Sequence, residues 1–163
     1  MFSGLSLFIN RQAGYILINL MKKIFINSQN EMIDFAKEVA NSINDNKVVA
    51  LYGNLGVGKS FFAKNFINFL QEIPSEVLSP TFNIVYSYKT KKGEIFHFDL
   101  YRIKHEEELE NIGFFEVIKN HIILIEWPQI SEKYLPKNCL KITIKNVINH
   151  HEEAREIIIE NVE

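Results

Sequence analysis

Eight consecutive residues, Gly53-Asn54-Leu55-Gly56-Val57-Gly58-Lys59-Ser60, have the types and spacing needed to hold a phosphate chain. In the pattern G-x-x-x-x-G-K-S, glycines let a loop aim successive backbone N–H groups inward and leave room for an anion against the main chain. Lys59 then supplies an ammonium for the outer phosphates, and the Ser60 hydroxyl is placed to reach a Mg²⁺ ion from the first helical turn. Binding alone does no chemistry. Hydrolysis or transfer also needs a held metal and an oriented nucleophile, and three later residues qualify. Glu126 closes a run of apolar residues and is the natural second metal ligand beside Ser60. Asp99 closes another such run, where it could order a metal-bound or attacking water, the competing reading being a surface carboxylate at a strand end. Thr81, in an irregular Ser79-Pro80-Thr81 segment, is where a switch hydroxyl would sense the terminal phosphate, unless it is simply a loop threonine. His97 shares the Asp99 face as a proton partner or as a satisfied core histidine, and Trp127 either covers the site or caps the core.

These groups must be carried by strand ends and one helix N-terminus. Val48-Val49-Ala50-Leu51-Tyr52 reads as a buried strand entering the glycine-rich loop, and a helix from Ser60 to Ile73 leaves it, with its positive end toward the anion. Phe62, Phe66, Phe69 and Ile73 are its expected buried stripe, with Pro74 marking its end. Ahead of the loop, Lys23-Ile24-Phe25-Ile26 is a strand candidate. Ser28 and Glu31 form a capping box for a helix that buries Met32, Phe35, Ala36, Val39, Ala40 and Ile43 and stops at Asn44-Asp45-Asn46. Beyond it, alternation through Ile84, Tyr86 and Tyr88, a polar turn at Lys89 to Gly93, and alternation from Glu94 to Tyr101 predict a β-hairpin. Glu106 to Ile112 and Phe114 to Lys119 read as short helices. His121 to Trp127 reads as a fully buried parallel strand that Pro128 halts. Leu140 to Ile148 and Ile157 to Val162 are the last strand candidates. The intervening His150-His151-Glu152-Glu153 reads as a solvated loop, lacking the further ligand spacing of a metal site.

Composition narrows the possibilities. A chain of 163 residues, 47% hydrophobic and 12% aromatic, is sized for one domain with a substantial core. The net charge of −2 and only three arginines, Arg11, Arg102 and Arg155, provide no basic surface for direct nucleic-acid binding. Cys139 is the only cysteine, which excludes an internal disulfide and a Cys-zinc centre and fits a reducing cytoplasm. Residues 1–20 are apolar but lack a basic leader and are interrupted by Asn10-Arg11-Gln12. They are expected to be an extension outside a single domain spanning 21–163, neither a signal peptide nor a membrane span.

Five motifs occur in order: the glycine-rich loop, Ser79-Pro80-Thr81-Phe82, His97-Phe98-Asp99-Leu100-Tyr101-Arg102, Glu107-Glu108-Leu109-Glu110 with Gly113, and Leu124-Ile125-Glu126-Trp127-Pro128. Together, over roughly Ile24 to Val162, the chain resembles the TsaE (YjeE) family of small bacterial P-loop ATPases. The resemblance implies an α/β P-loop NTPase fold, with a central, mainly parallel sheet, antiparallel additions and flanking helices. It implies ATP and Mg²⁺ as cofactors, with Lys59 and Ser60 on phosphate and metal, Glu126 on the metal, Asp99 in a catalytic or metal-water role and Thr81 in a switch-like one. It further implies partnership with TsaD and TsaB in forming threonylcarbamoyladenosine at position 37 of tRNAs reading ANN codons, with tRNA engaged only indirectly and no membrane involved. Asn54 stands where the family often has Asp, and Ser60 where Thr is usual; neither change removes a needed donor. The expected walls of an adenine pocket are Ser28, Gln29 and Arg155. With so few arginines, hydrolysis is expected to be slow without a partner. Two other classes fit a phosphate loop. A small-molecule kinase would need an arginine-bearing lid. A guanine-reading regulatory switch would need N-K-x-D after the loop, whereas Asn46-Lys47 precedes it and lacks the Asp.

Overall fold

The computed structural model describes residues 21–43, 47–73, 75–147 and 153–161. In chain order these form β1 (Lys22–Ile26), α1 (Gln29–Ser42), β2 (Val48–Tyr52), α2 (Lys59–Leu70), β3 (Val85–Thr90), β4 (Gly93–Asp99), α3 (Glu108–Asn111), α4 (Phe114–Val117), β5 (Ile122–Glu126), a 3-10 turn (Pro128–Tyr134), β6 (Leu140–Asn146) and β7 (Arg155–Asn161). The strands make one sheet in the order β1-β7-β6-β2-β5-β4-β3. The four central strands, β6, β2, β5 and β4, run parallel. Antiparallel strands flank them, β3 beside β4 on one side and β7 with β1 on the other. Continuous apolar runs are what a parallel strand covered on both faces requires, and β2 and β5 satisfy that requirement.

The two faces bury separate cores. On one, α1 and α2 pack Met32, Phe35, Phe62, Phe66 and Leu70 over Val49, Leu51, Ile95, Ile122 and Leu124, with the Phe35 and Phe62 rings 5.5 Å apart. On the other, Leu109 and Phe114 from the short helices cover Val48, Ala50, Phe98, Ile123 and Ile125. Burial of these side chains, each large one contributing roughly 1.5–3 kcal/mol, is the main term holding the layers together.

Local chemistry sets the helix ends. The Ser28 hydroxyl accepts the Glu31 N–H at 3.2 Å, as expected, while Glu31 Oε2 accepts the N–H of Asn27 at 2.8 Å, one residue earlier than in a standard capping box. At the other end of α1, Lys92 donates from Nζ to the carbonyls of Ala40, Asn41 and Ile43 at 3.0, 2.8 and 2.7 Å, clamping the β3–β4 turn to the helix.

Several boundaries differ from the sequence expectation. Helix α2 stops at Leu70, because Gln71 adopts an extended backbone and its side chain binds Ser75 instead. Ile73 is therefore 83% exposed, Phe69 only flanks the core, and the buried stripe is Phe62, Ala63, Phe66, Ile67 and Leu70. The hairpin turn tightens to Lys91-Lys92, and the two short helices are each a single turn. Pro128 ends β5 but also opens the 3-10 turn, where its fixed φ suits a first helical position. The expected stops at Asn44-Asp45-Asn46 and Pro74, the extension at residues 1–20 and most of the His150–Glu153 cluster lie outside the described residues. No helix among the described residues is long and apolar enough to cross a membrane.

Candidate phosphate and metal site

The glycine-rich loop connects the tip of β2, near the middle of the sheet, to the N-terminus of α2. Gly53 has φ +136°, and a Cβ there would sit 2.3 Å from the carbonyl oxygen of Ile144 on β6, so the loop leaves the strand through a passage only glycine fits. Gly58 occupies the N-cap of α2 and offers no side-chain acceptor, so the first-turn N–H groups keep no side-chain cap from that residue. Uncapped N–H groups with the helix dipole behind them form a ready anion site.

Lys59 is buried at the floor of this loop. Its ammonium donates to the carbonyls of Gly53 (2.8 Å) and Asn54 (2.9 Å) and lies 3.9 Å from the centre of the Trp127 ring. Burial holds the ammonium below the ordinary lysine range, against the opposing pull of the Glu126 and Asp99 carboxylates. Trp127, left-handed at φ 57°, is half-buried and also packs on Tyr101, with ring centres 4.9 Å apart. Of the two roles considered for it, the ring covers the lysine and does not cap the core.

Parallel pairing puts the two acids level. Glu126 is opposite Leu51 on one side and Asp99 on the other, so the tips of β2, β5 and β4 converge. The Ser60 hydroxyl donates to Glu126 Oε2 at 2.8 Å, and the other carboxylate oxygen, Oε1, lies 3.0 Å from His97 Nε2. Both Glu126 and His97 are almost fully buried. Asp99 is buried as well, which removes the reading of it as a surface carboxylate. Its Oδ2 accepts from Thr81 Oγ1 at 2.8 Å and its Oδ1 from the N–H of Tyr101 at 3.0 Å. Thr81 in turn lies 2.9 Å from Ser79 Oγ. The loop that delivers Thr81 ends in Ile84 at φ 69°, an unfavourable conformation for a β-branched residue, held by the bond from the Asp99 N–H to the Ile84 carbonyl.

Lys59, Ser60, Thr81, Asp99 and Glu126 are thus brought to one end of the sheet. His97 faces the same way but serves Glu126, not Asp99. In the loop, the Leu55 side chain is 79% exposed and that of Val57 is buried. Beside the loop lies a cavity of about 350 Å³ lined by Ser28, Gln29 and Arg155 together with Ile26, Met32, Val57, Gly58, Phe61 and Glu153. Arg155 Nε donates to the Val57 carbonyl at 2.8 Å, tying β7 to the loop. Sequence reasoning missed Met32 and Phe61 as cavity walls. Phe61 was detectable as an aromatic next to Ser60 and off the buried stripe. Among the described residues no group of three or more His, Cys, Asp or Glu could hold a metal by itself. One hydroxyl and one carboxylate, all oxygen, suit instead a hard cation that keeps water and phosphate oxygens in its shell, and Mg²⁺ fits that donor set.

An α/β sheet, parallel at its centre, with a G-K-S loop at one strand tip and an acid at the next defines a P-loop NTPase fold. A family model described as "Threonylcarbamoyl adenosine biosynthesis protein TsaE" matches residues 26–157, and the chain belongs to the TsaE family. The TsaE protein of Rickettsia prowazekii is 38% identical over 125 residues, covering 77% of this chain and 87% of that relative. That of Aquifex aeolicus is 34% identical over 113 residues, covering 69% and 80%. The crystal structure of YdiB from Bacillus subtilis superposes with a TM-score of 0.69 at 27% identity, covering 91% of this chain and 90% of that one.

Proposed function

We propose that this protein is a Mg²⁺-dependent ATPase that supports TsaD and TsaB, in the cytoplasm, in forming N6-threonylcarbamoyladenosine at position 37 of tRNAs reading ANN codons. The observation that carries the catalytic part is the 2.8 Å contact between Ser60 and Glu126, which puts a hydroxyl and a carboxylate from separate elements within reach of one cation. The pathway rests on kinship, since the relatives bear the name tRNA threonylcarbamoyladenosine biosynthesis protein TsaE.

In this reading the main chain of Gly53 to Gly58 and the N-terminus of α2 bind the phosphates. Lys59 leaves its two carbonyl partners to meet the outer phosphates. Ser60 and Glu126 hold Mg²⁺, which neutralises phosphate charge when bound. Asp99 orients the attacking water, and Thr81, released from Asp99, senses the terminal phosphate. The cavity walled by Gln29, Met32 and Phe61 receives the base. With only three arginines in the chain, turnover of the isolated protein is slow and rises when a partner supplies charge or orders the Thr81 loop. A net charge of −2 leaves tRNA to those partners.

Depletion of the protein followed by nucleoside analysis of bulk tRNA tests the pathway: threonylcarbamoyladenosine falls, and an unchanged level would remove the assignment. Phosphate release with purified protein tests the chemistry. Lys59→Ala weakens nucleotide binding, and Glu126→Ala spares binding more than turnover. Normal hydrolysis by Glu126→Ala would reject the metal role, and equal turnover with and without TsaD and TsaB would reject partner stimulation.

A further inference from the structure

His97 lies in the middle of β4, 1% exposed, with Leu124 and Tyr86 as its cross-strand neighbours. Burying an imidazole costs desolvation that a phenyl or isobutyl group would not, so packing does not account for a histidine at this position. Its Nδ1 is buried with no hydrogen-bond partner, which leaves Nε2 as the ring's polar contact. An unpaired buried lone pair is tolerated more readily than an unpaired buried N–H, so the ring carries its proton on Nε2 and donates it to Glu126 Oε1 at 3.0 Å. Asp99, two residues along the same face, is not the recipient: Nε2 pairs with Glu126, and the Asp99 oxygens accept from Thr81 and from the Tyr101 N–H.

Glu126 is thereby gripped from both ends, Oε1 by His97 and Oε2 by Ser60. Loss of the His97 bond would leave a buried carboxylate held at one oxygen only and free to rotate about its last side-chain torsion, where sp² groups have broad, shallow wells. The oxygen offered to a cation beside Ser60 would then no longer be fixed.

We propose that His97 is a positioning residue whose single bond to Glu126 Oε1 sets the affinity of the Ser60–Glu126 pair for the divalent ion accompanying the nucleotide. This rests on the P-loop and metal reading above and adds to it a group that touches neither metal nor nucleotide. Partners behind a metal-ligating carboxylate typically contribute ten- to a hundred-fold in metal affinity, roughly the effect expected here.

The test uses the full chain with ADP and Mn²⁺, following bound Mn²⁺ by electron paramagnetic resonance and nucleotide affinity separately in EDTA. His97→Phe weakens Mn²⁺ binding to the ADP-loaded protein by about ten-fold or more while changing ADP affinity in EDTA less than two-fold. His97→Gln, whose amide N–H can reach Oε1, recovers most of the loss. In a Glu126→Gln background, His97→Phe has no further effect on Mn²⁺. A purely structural histidine would lower the melting temperature and ADP affinity together, without rescue by Gln, and that pattern would overturn the proposal. Mn²⁺ binding weakened by Glu126→Gln but untouched by His97→Phe would overturn the positioning role alone. Wild-type protein that takes up no ADP would overturn the P-loop reading and this one with it.

Discussion

Replacing Gly53 by alanine separates two roles that glycines play in the same loop. At Gly53 the new methyl carbon would lie 2.3 Å from the Ile144 carbonyl oxygen and 2.9 Å from a methyl of Val57, at φ +136°. The first contact is about 1 Å inside ordinary van der Waals distance, and its partner is main chain in β6 that cannot rotate away. The backbone conformation costs roughly 1–3 kcal/mol for a residue with a Cβ, and relieving the overlap by moving β6 a further 1–3 kcal/mol or so. The lower entropy of the unfolded alanine chain returns about 0.4–1 kcal/mol, leaving a net loss of roughly 2–5 kcal/mol. Gly56, at φ +78° with nothing within 4 Å of its virtual Cβ, carries only the left-handed penalty, about 1–2 kcal/mol before the same entropy return. For a domain of this size each kcal/mol shifts Tm by about 2–4 °C. Gly53→Ala therefore lowers Tm by roughly 5–20 °C, and Gly56→Ala by less than about 6 °C. Thermal and urea unfolding followed by circular dichroism, without nucleotide, reads both. Equal losses, or a larger one at Gly56, would show that the Ile144 contact does not constrain the loop.

Other perturbations probe separate parts of the fold. Lys92→Met removes three bonds to the last carbonyls of α1 and is expected to cost roughly 1–3 kcal/mol, with amide exchange accelerated in the last turn of α1; unchanged exchange there would deny the clamp. Cys139 is fully buried, and burial pushes its thiol up to about 11, so a disulfide reagent at pH 8 labels it only on unfolding; prompt labelling of native protein would contradict the packing of Cys139 between β2 and the second core. Thr81→Val deletes the hydroxyl bonded to Asp99 and is expected to reduce phosphate release about ten- to a hundred-fold while leaving nucleotide affinity within two-fold; undiminished turnover would remove Thr81 from the mechanism.

What could be read from the chain depended on whether a signal was local. The glycine-rich loop, the capping residues and the buried run ending in Glu126 are local, and each appears where the residues place it. His97 shows the limit. Its face was legible from the two-residue period of β4, but its partner depended on which strand lay beside β4, and that strand arrives later in the chain. Parallel pairing with β5 set Glu126 level with Asp99 and within diagonal reach of His97. Ile73 failed for a related reason. It continues the helical spacing of Phe62, Phe66 and Phe69, yet Gln71 ends the helix through a side-chain bond to Ser75 that periodicity cannot register. The 3-10 turn after Pro128 was hidden because proline signals both a strand's end and a helical start.

Strand β5 was made last among the central strands that build the site, and it lies between two that share no ladder of their own, β2 and β4. During synthesis the phosphate cradle is complete at residue 60, while its acid emerges 66 residues later and must slot into the middle of the sheet. Until those five residues insert, Ser60 follows a strand, β2, whose ladder partners come later in the chain, while the Thr81–Asp99 pair sits at the β3–β4 hairpin, with no ladder between the two. In the finished protein, among the described residues, this narrow ribbon is the one strand splicing the hairpin to the nucleotide loop. A tug on β3 and β4 would therefore be felt at Glu126 before anywhere else in the cradle.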